Sequence, residues 1–228
     1  MTTTAVKTKL PASFDPSIIK VVIFNGPPGS GKDEAAKFVE RNAGFATELV
    51  AFKKKLTELT CMIYGVDPYL WADRYDDHKE EPWDQLGGLS QRRTLQIVSE
   101  DVIKPVYGND YFGKATLKDI VNLIENGGVR VAISDCGFKE ELNTLLTYFK
   151  PEELLLVRTH RPGHSFEGDT RSYLQSDTIA SIDLINDTTL KNYHRRITEH
   201  LGAIFHIESS DDVDLMLDLQ HAIVRMND

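Results

Sequence analysis

Gly26-Pro27-Pro28-Gly29-Ser30-Gly31-Lys32 places two glycines and a lysine at GxxxxGK spacing. Those residue types at that spacing hold phosphate. Glycines let the backbone curl until successive N–H groups point at phosphate oxygens, and a helix beginning at the end of the loop adds partial positive charge. Lys32 then reaches the outer phosphates. The motif has few fixed positions, so its surroundings decide. Val21–Phe24 (VVIF) is a β-branched and aromatic run, and helix-compatible sequence follows the loop. Strand, glycine-rich loop and helix in that order make a P-loop. Asp33 stands where Ser or Thr normally offers Mg²⁺ a hydroxyl. Its carboxylate either contacts the ion, directly or through water, or repels the phosphates.

Four other groups have types suited to phosphate chemistry. Arg92, Arg93 and Gln96 follow Ser90, a good helix N-cap, and are either solvated or hold a monophosphate through a planar fork of donors. Lys53, Lys54 and Lys55 open another helix, as a solvated face or with one lysine on an acceptor phosphate. Asp135 ends the run Val129–Ser134, where a carboxylate can hold a P-loop Mg²⁺ through water or bind an acceptor. Residues 158–171 contain Arg158, Arg161 and Arg171 with two glycines and a proline. They read as a mobile lid carrying positive charge over transferring phosphates, or as a charged surface loop. His160 and His164 have no further ligands at zinc spacing.

The elements that must position these groups alternate between strand and helix. Strands are expected at 18–24, 45–50, 129–134, 154–157, 179–185 and 203–207. Helices are expected at 31–42, from Phe52 through Leu56, Leu59 and Ile63, after Ser90 with Leu95, Val98 and Val102 on one side, and at 112–125. Two more follow, from Leu190 to Leu201 and at 211–226. This alternation predicts an α/β fold with a parallel sheet in three layers. Asp67–Gly88 is polar, aromatic and turn-rich, and reads as an insertion over a substrate pocket. Its two tryptophans and two tyrosines either pack it down or stack on a base. Residues 1–17 read as a flexible extension, and residues 18–228 as one domain.

Composition narrows the class. With 228 residues, 41% apolar and 27% charged, the chain suits one soluble core. A formal charge of −9 argues against broad nucleic-acid or acidic-membrane binding. Cys61 and Cys136 are far apart and read as buried hydrophobes. No apolar run has membrane length, and the N-terminus lacks a signal-peptide core, so a cytoplasmic enzyme is expected.

Taken together, five stretches resemble the P-loop nucleoside-monophosphate kinases, most closely the bacteriophage deoxynucleoside monophosphate kinases. They are GPPGSGKD, Arg92-Arg93-Thr94-Leu95-Gln96 with Asp101 following, the strand ending at Asp135, Arg158–Gly163, and Asp183-Leu184-Ile185-Asn186-Asp187. The family also carries Asp after the P-loop lysine, which makes Asp33 ordinary. The resemblance implies a three-layer P-loop kinase fold with helices on both faces of a parallel sheet, residues 67–125 covering substrate and 158–178 forming the lid. It implies ATP as donor, Mg²⁺ as cofactor, and a deoxynucleoside monophosphate as acceptor in viral DNA precursor synthesis in the host cytoplasm. The expected partners are small-molecule nucleotides, with no nucleic acid or membrane, and a homodimer is left open.

By the same carry-over, Gly26 to Asp33 bind the donor, with Lys32 neutralising its phosphates and Asn186 beside its base. Arg92 holds acceptor phosphate and Asp135 contacts metal or acceptor; from the residues themselves, Lys53, Arg93 and Gln96 are further expected at the acceptor, Asp33 at the metal, and Arg158, Arg161 and Arg171 over the transition state. The chain departs from the family at Gly137, where an arginine is usual, and at Ser99, where glycine is common. Rival readings are a P-loop kinase for another phosphorylated acceptor such as dephospho-coenzyme A, and a nucleotide-binding regulatory protein without acceptor chemistry.

Overall fold

The computed structural model describes residues 8–169 and 171–208. After β1 (Thr8–Lys9), the chain enters β2 (Val21–Asn25), the P-loop and α1 (Lys32–Asn42). It continues through β3 (Thr47–Val50), α2 (Phe52–Tyr64), α3 (Pro68–His78) and a small hairpin of β4 (Pro82–Trp83) and β5 (Leu89–Ser90). α4 (Gln91–Gln96), a π-helical turn (Ile97–Ile103), α5 (Lys104–Tyr107) and α6 (Tyr111–Gly127) follow. Then come β6 (Arg130–Ile133), α7 (Lys139–Leu145), β7 (Leu154–His160), β8 (Ala180–Ile185) and α8 (Leu190–Phe205).

Six strands form one sheet in the order β1-β8-β7-β2-β6-β3, parallel except for β1. β2 is buried along its whole length, as a parallel strand covered on both faces must be. Its side chains alternate between two cores. Val22 and Phe24 join Ala35, Val39, Tyr193, Ile197 and Leu201 under α1 and α8. Val21 and Ile23 join Ile120, Leu142 and Leu145 under α6 and α7. The three-layer α/β architecture expected from the alternating pattern is therefore the observed one. The chain leaves β2 toward β3 on one side and later crosses to β7 on the other. Strand order thus reverses beside β2, and the P-loop leaves from this switch point, where open α/β sheets bind ligands.

The segment 67–88 is more ordered than its composition predicts. Asp67 caps α3 by accepting from Tyr69 and Leu70 N–H groups, and Trp71, 2% exposed, packs with Cys61, Val66, Leu86 and Leu95 in a third core. Trp71 is thus a packing residue.

Several expected boundaries move. Within the expected N-terminal extension, Thr8–Lys9 pairs antiparallel with β8, and Lys9 Nζ lies 3.1 Å from Asp177 Oδ1. Arg158 to His160 belong to β7, so the irregular segment assigned to the lid begins at Arg161. The expected strand at 203–207 is instead the end of α8. Ile204 and Phe205 continue the buried stripe of Tyr193, Ile197 and Leu201, and His206 ends the helix at φ 53°. On α2, Ile63 is 55% exposed and Thr60 and Cys61 face inward, because α2 packs between α6 on one side and α3 and α4 on the other. In the π-helical turn, i→i+5 pairing adds a residue. Lys104 N–H therefore reaches Ser99 O, burying Ile103 and turning Val102 outward. The expected helix at 211–226 lies outside the described residues.

Candidate functional site

The P-loop is held from outside through its carbonyls. Asn186 Nδ2 donates to Ser30 O at 3.0 Å, Tyr193 Oη to Gly31 O at 3.2 Å, and Arg161 Nη1 to Gly29 O at 3.0 Å. Ser30 Oγ and Thr159 Oγ1 share a buried hydrogen bond of 2.7 Å. These contacts come from β7, the irregular segment after it, and α8 with its leading turn. Gly31 has φ 98° as the N-cap of α1, and a Cβ there would stand 2.5 Å from Asn186 Nδ2. Only glycine suits both conditions. Lys32 is 8% exposed, and its Nζ lies 2.9 Å from Asp33 Oδ2.

A cleft of about 1040 Å³ opens from the tip of this loop, lined there by Pro28, Gly29, Lys32 and Asp33. Its wall is drawn from α2, α3, α4, the π-helical turn, the start of α6, the β6–α7 connection with α7, and residues 168–171. Lys53 comes from the start of α2, Arg92, Arg93 and Gln96 from α4, and Ser99 and Glu100 from the π-helical turn. Tyr75 of α3 also lines it, with Lys53 Nζ 5.5 Å and Lys79 Nζ 5.6 Å from its ring centroid, within cation–π reach. Arg92 pairs through Nε with Glu80 on the outer wall.

Asp135, Glu141, Asp169 and Arg171 also line the cleft. Asp135 Oδ1 accepts from Phe52 N–H and Oδ2 from Lys53 N–H, yet desolvation raises its carboxyl above the usual range against those two bonds. Glu141 Oε2 accepts from Gly137 and Phe138 N–H groups at the start of α7. Burial first, and then the Asp135 charge, push its carboxyl up to about 7. Asp169 is the opposite case: the Arg171 guanidinium holds its carboxyl down to about 2, and the Arg92 charge acts in the same direction. Burial pushes the Cys136 thiol well up, as expected for a buried hydrophobe.

Of the residues expected from sequence, the structure brings Pro28, Gly29, Lys32, Asp33, Lys53, Arg92, Arg93, Gln96, Asp135 and Arg171 into one cavity. Gly26, Pro27, Ser30 and Gly31 complete the loop behind it. A Cβ on Gly26 would stand 2.2 Å from Thr159 Oγ1. Asn186 and Arg161 bind loop carbonyls. Arg158 is placed differently, outside the cleft lining, on β7 opposite Asp183 of β8. Its Nε and Nη2 contact that carboxylate at 2.7 and 3.2 Å, the two side chains 13% and 12% exposed. Glu141 and Asp169 were not singled out in the sequence, whereas Tyr75 is one of the two tyrosines of 67–88 expected either to pack or to stack on a base. Glu141 had a partial signal, an acid in the first turn of a helix.

No protein-family model matches the sequence, and no curated protein matches it. Among solved structures, the chain is similar to the unliganded crystal structure of a sugar kinase from Janibacter sp. HTCC2649. The TM-score is 0.43 at 12% identity, over 83% of this chain and 95% of that one.

Proposed function

We propose that this protein is an ATP-dependent nucleotide kinase that transfers the γ-phosphoryl group to a deoxynucleoside or nucleoside 5′-monophosphate. The observation that carries the reading is one cleft lined both by the P-loop tip with Lys32 and by Lys53, Arg92, Arg93 and Arg171, four basic side chains drawn from three other parts of the chain. A volume of about 1040 Å³ lies at the upper end for a single small-molecule site and suits two nucleotides. The role in viral DNA precursor synthesis rests on the sequence resemblance.

In the reaction, an oxygen of the acceptor 5′-phosphate bonds to the γ-phosphorus as the bond from that phosphorus to the β–γ bridging oxygen breaks. ADP leaves, and the acceptor becomes a diphosphate. The attacking oxygen is already anionic, so positioning and charge neutralisation supply the catalysis. The loop N–H groups and Lys32 bind the donor phosphates. Arg92, Arg93, Lys53 and Arg171 hold the acceptor phosphate, and Gln96 lies one helical turn from Arg92. Arg161, bound to the loop through Gly29 O, adds charge at the donor side.

Mg²⁺ commonly takes one or two protein carboxylates, its other ligands being phosphate and water oxygens. Asp33 and Asp135 fit that requirement. Both line the cleft, and each Asp135 oxygen takes one N–H and keeps a free lone-pair site. No group of three or more His, Cys, Asp or Glu side chains suited to a metal forms among the described residues. When bound, the ion neutralises charge on the donor phosphates.

The test is Lys32→Ala. It is expected to lower acceptor-dependent ADP formation by about a hundredfold or more while the far-ultraviolet circular dichroism stays that of the parent. Near-parental turnover would remove Lys32 from the chemistry.

A further inference from the structure

Arg171 belongs to the irregular segment after β7, yet its position is fixed by the body of the protein. Gly137 lies beneath its side chain. A Cβ on Gly137 would stand 2.6 Å from Arg171 Cδ, 2.9 Å from Cγ and 3.3 Å from Cβ, so the arginine stem fills the space that any other residue at 137 would occupy. Asp169 holds the head group, Oδ1 accepting from Arg171 Nε at 2.9 Å and Oδ2 from Nη2 at 2.5 Å.

The backbone on both sides is tied to one amide. Asn25, the last residue of β2, is 0% exposed. Its Nδ2 donates to Cys136 O at 3.0 Å and Ser172 O at 3.2 Å, and its Oδ1 accepts from Leu174 N–H at 3.0 Å. Cys136 immediately precedes Gly137, and Ser172 immediately follows Arg171. One buried side chain at the root of the P-loop therefore sets the distance between the glycine floor and the arginine that lies on it.

A guanidinium has five N–H donors. Two are given to Asp169, which leaves three for a ligand in the cleft. We infer that Gly137, Asp169 and Asn25 are positioning residues that hold Arg171 as a fixed phosphate-binding cation of the cleft. The phosphate contact rests on the phosphotransfer reading above. The placement of the side chain does not. The arrangement also gives Gly137 a physical role, since an arginine at that position and the Arg171 stem would compete for the same space.

The experiment is a double-mutant cycle on the full chain, comparing the parent, Gly137→Ala, Arg171→Ala and the double variant. KM and kcat are measured with ATP, Mg²⁺ and whichever nucleoside monophosphate the parent phosphorylates. Gly137→Ala is expected to raise the acceptor KM about tenfold or more, because small misplacements of a binding group are costly. The ATP KM should stay within about twofold, and the effect should vanish in the Arg171→Ala background, since residues acting through one group are not additive. An equal effect of Gly137→Ala in both backgrounds, or no effect in either, overturns the inference.

A second readout does not depend on activity. The Arg171 Nε–H resonance, assigned by its loss in Arg171→Ala, is expected to exchange slowly in the parent. It should exchange at least about tenfold faster in Gly137→Ala and Asp169→Asn. Unchanged exchange in both variants contradicts the positioning claim. If the parent phosphorylates no monophosphate, the phosphotransfer reading fails, and this exchange measurement alone decides whether Arg171 is held as described.

Discussion

The carboxylate of Asp135 caps α2 by taking the Phe52 N–H at 2.7 Å on one oxygen, with the Lys53 N–H at 3.0 Å on the other. The residue in the N-cap position, Ala51, has no side chain that can do this. The register of β3 with β6, Val50 opposite Ile133, brings Asp135 to the helix end. A side chain expected to meet metal or acceptor thus also orients the element that carries Lys53. Asp135→Ala is predicted to lower stability by about 1–2 kcal/mol, the usual cost of a lost cap, and to lower phosphoryl transfer as well. Asp135→Asn keeps one acceptor oxygen and should lose less. Urea unfolding of the two variants beside the parent checks the order.

Glu141 predicts a pH dependence with a definite sign. Its carboxyl is pushed from 4.5 up to about 7, chiefly by burial. The folded state therefore binds the proton more tightly than the unfolded chain, so stability falls as pH rises between those values. Relative to Glu141→Gln, the parent should lose up to about 3 kcal/mol from pH 4.5 to pH 7, with little further change above. Unfolding midpoints at about pH 5 and about pH 8 measure this window. A gap of constant size at both values would contradict the assigned cause.

Gly31→Ala combines a left-handed φ of 98° with a Cβ placed 2.5 Å from Asn186 Nδ2. The strain should cost about 1–3 kcal/mol and should weaken ATP binding, because relief must move the loop or Asn186. Calorimetric titration with ATP checks the second effect. Unaltered affinity would show that the loop tolerates a side chain there.

Arg158 separates stability from chemistry. Its largely buried pair with Asp183, which also contacts His160 Nε2 at 2.9 Å, leaves an uncompensated carboxylate when the guanidinium is removed. Arg158→Met should cost about 3–5 kcal/mol, and adding Asp183→Asn should recover much of it. Denaturant midpoints of the single and double variants decide the matter. A single variant as stable as the parent would mean that the pair contributes nothing.

The glycine-rich loop was legible in the sequence because its information is local. Gly26 to Lys32 specify a loop, a preceding strand and a following helix within one short stretch, and all three are present. Arg92 and Asp135 were legible as types at element ends. Their convergence depends on sheet order, which no local pattern contains. Asp169, Glu141 and Asn25 were not singled out because their partners lie on other elements or in an irregular segment. Arg158 was misplaced because charge and glycine content described a loop, whereas its register opposite Asp183 makes it part of the sheet. The strand expected at 203–207 failed for a related reason. A short apolar run is ambiguous alone, and the continuing spacing from Tyr193 makes it helix.

The most direct test of the account is ADP release from ATP and Mg²⁺, measured with and without each deoxy- and ribonucleoside 5′-monophosphate. The account predicts release that depends on one or a few of these acceptors and that is lost in Lys32→Ala. ATP binding with no acceptor-dependent release from any of them would contradict it.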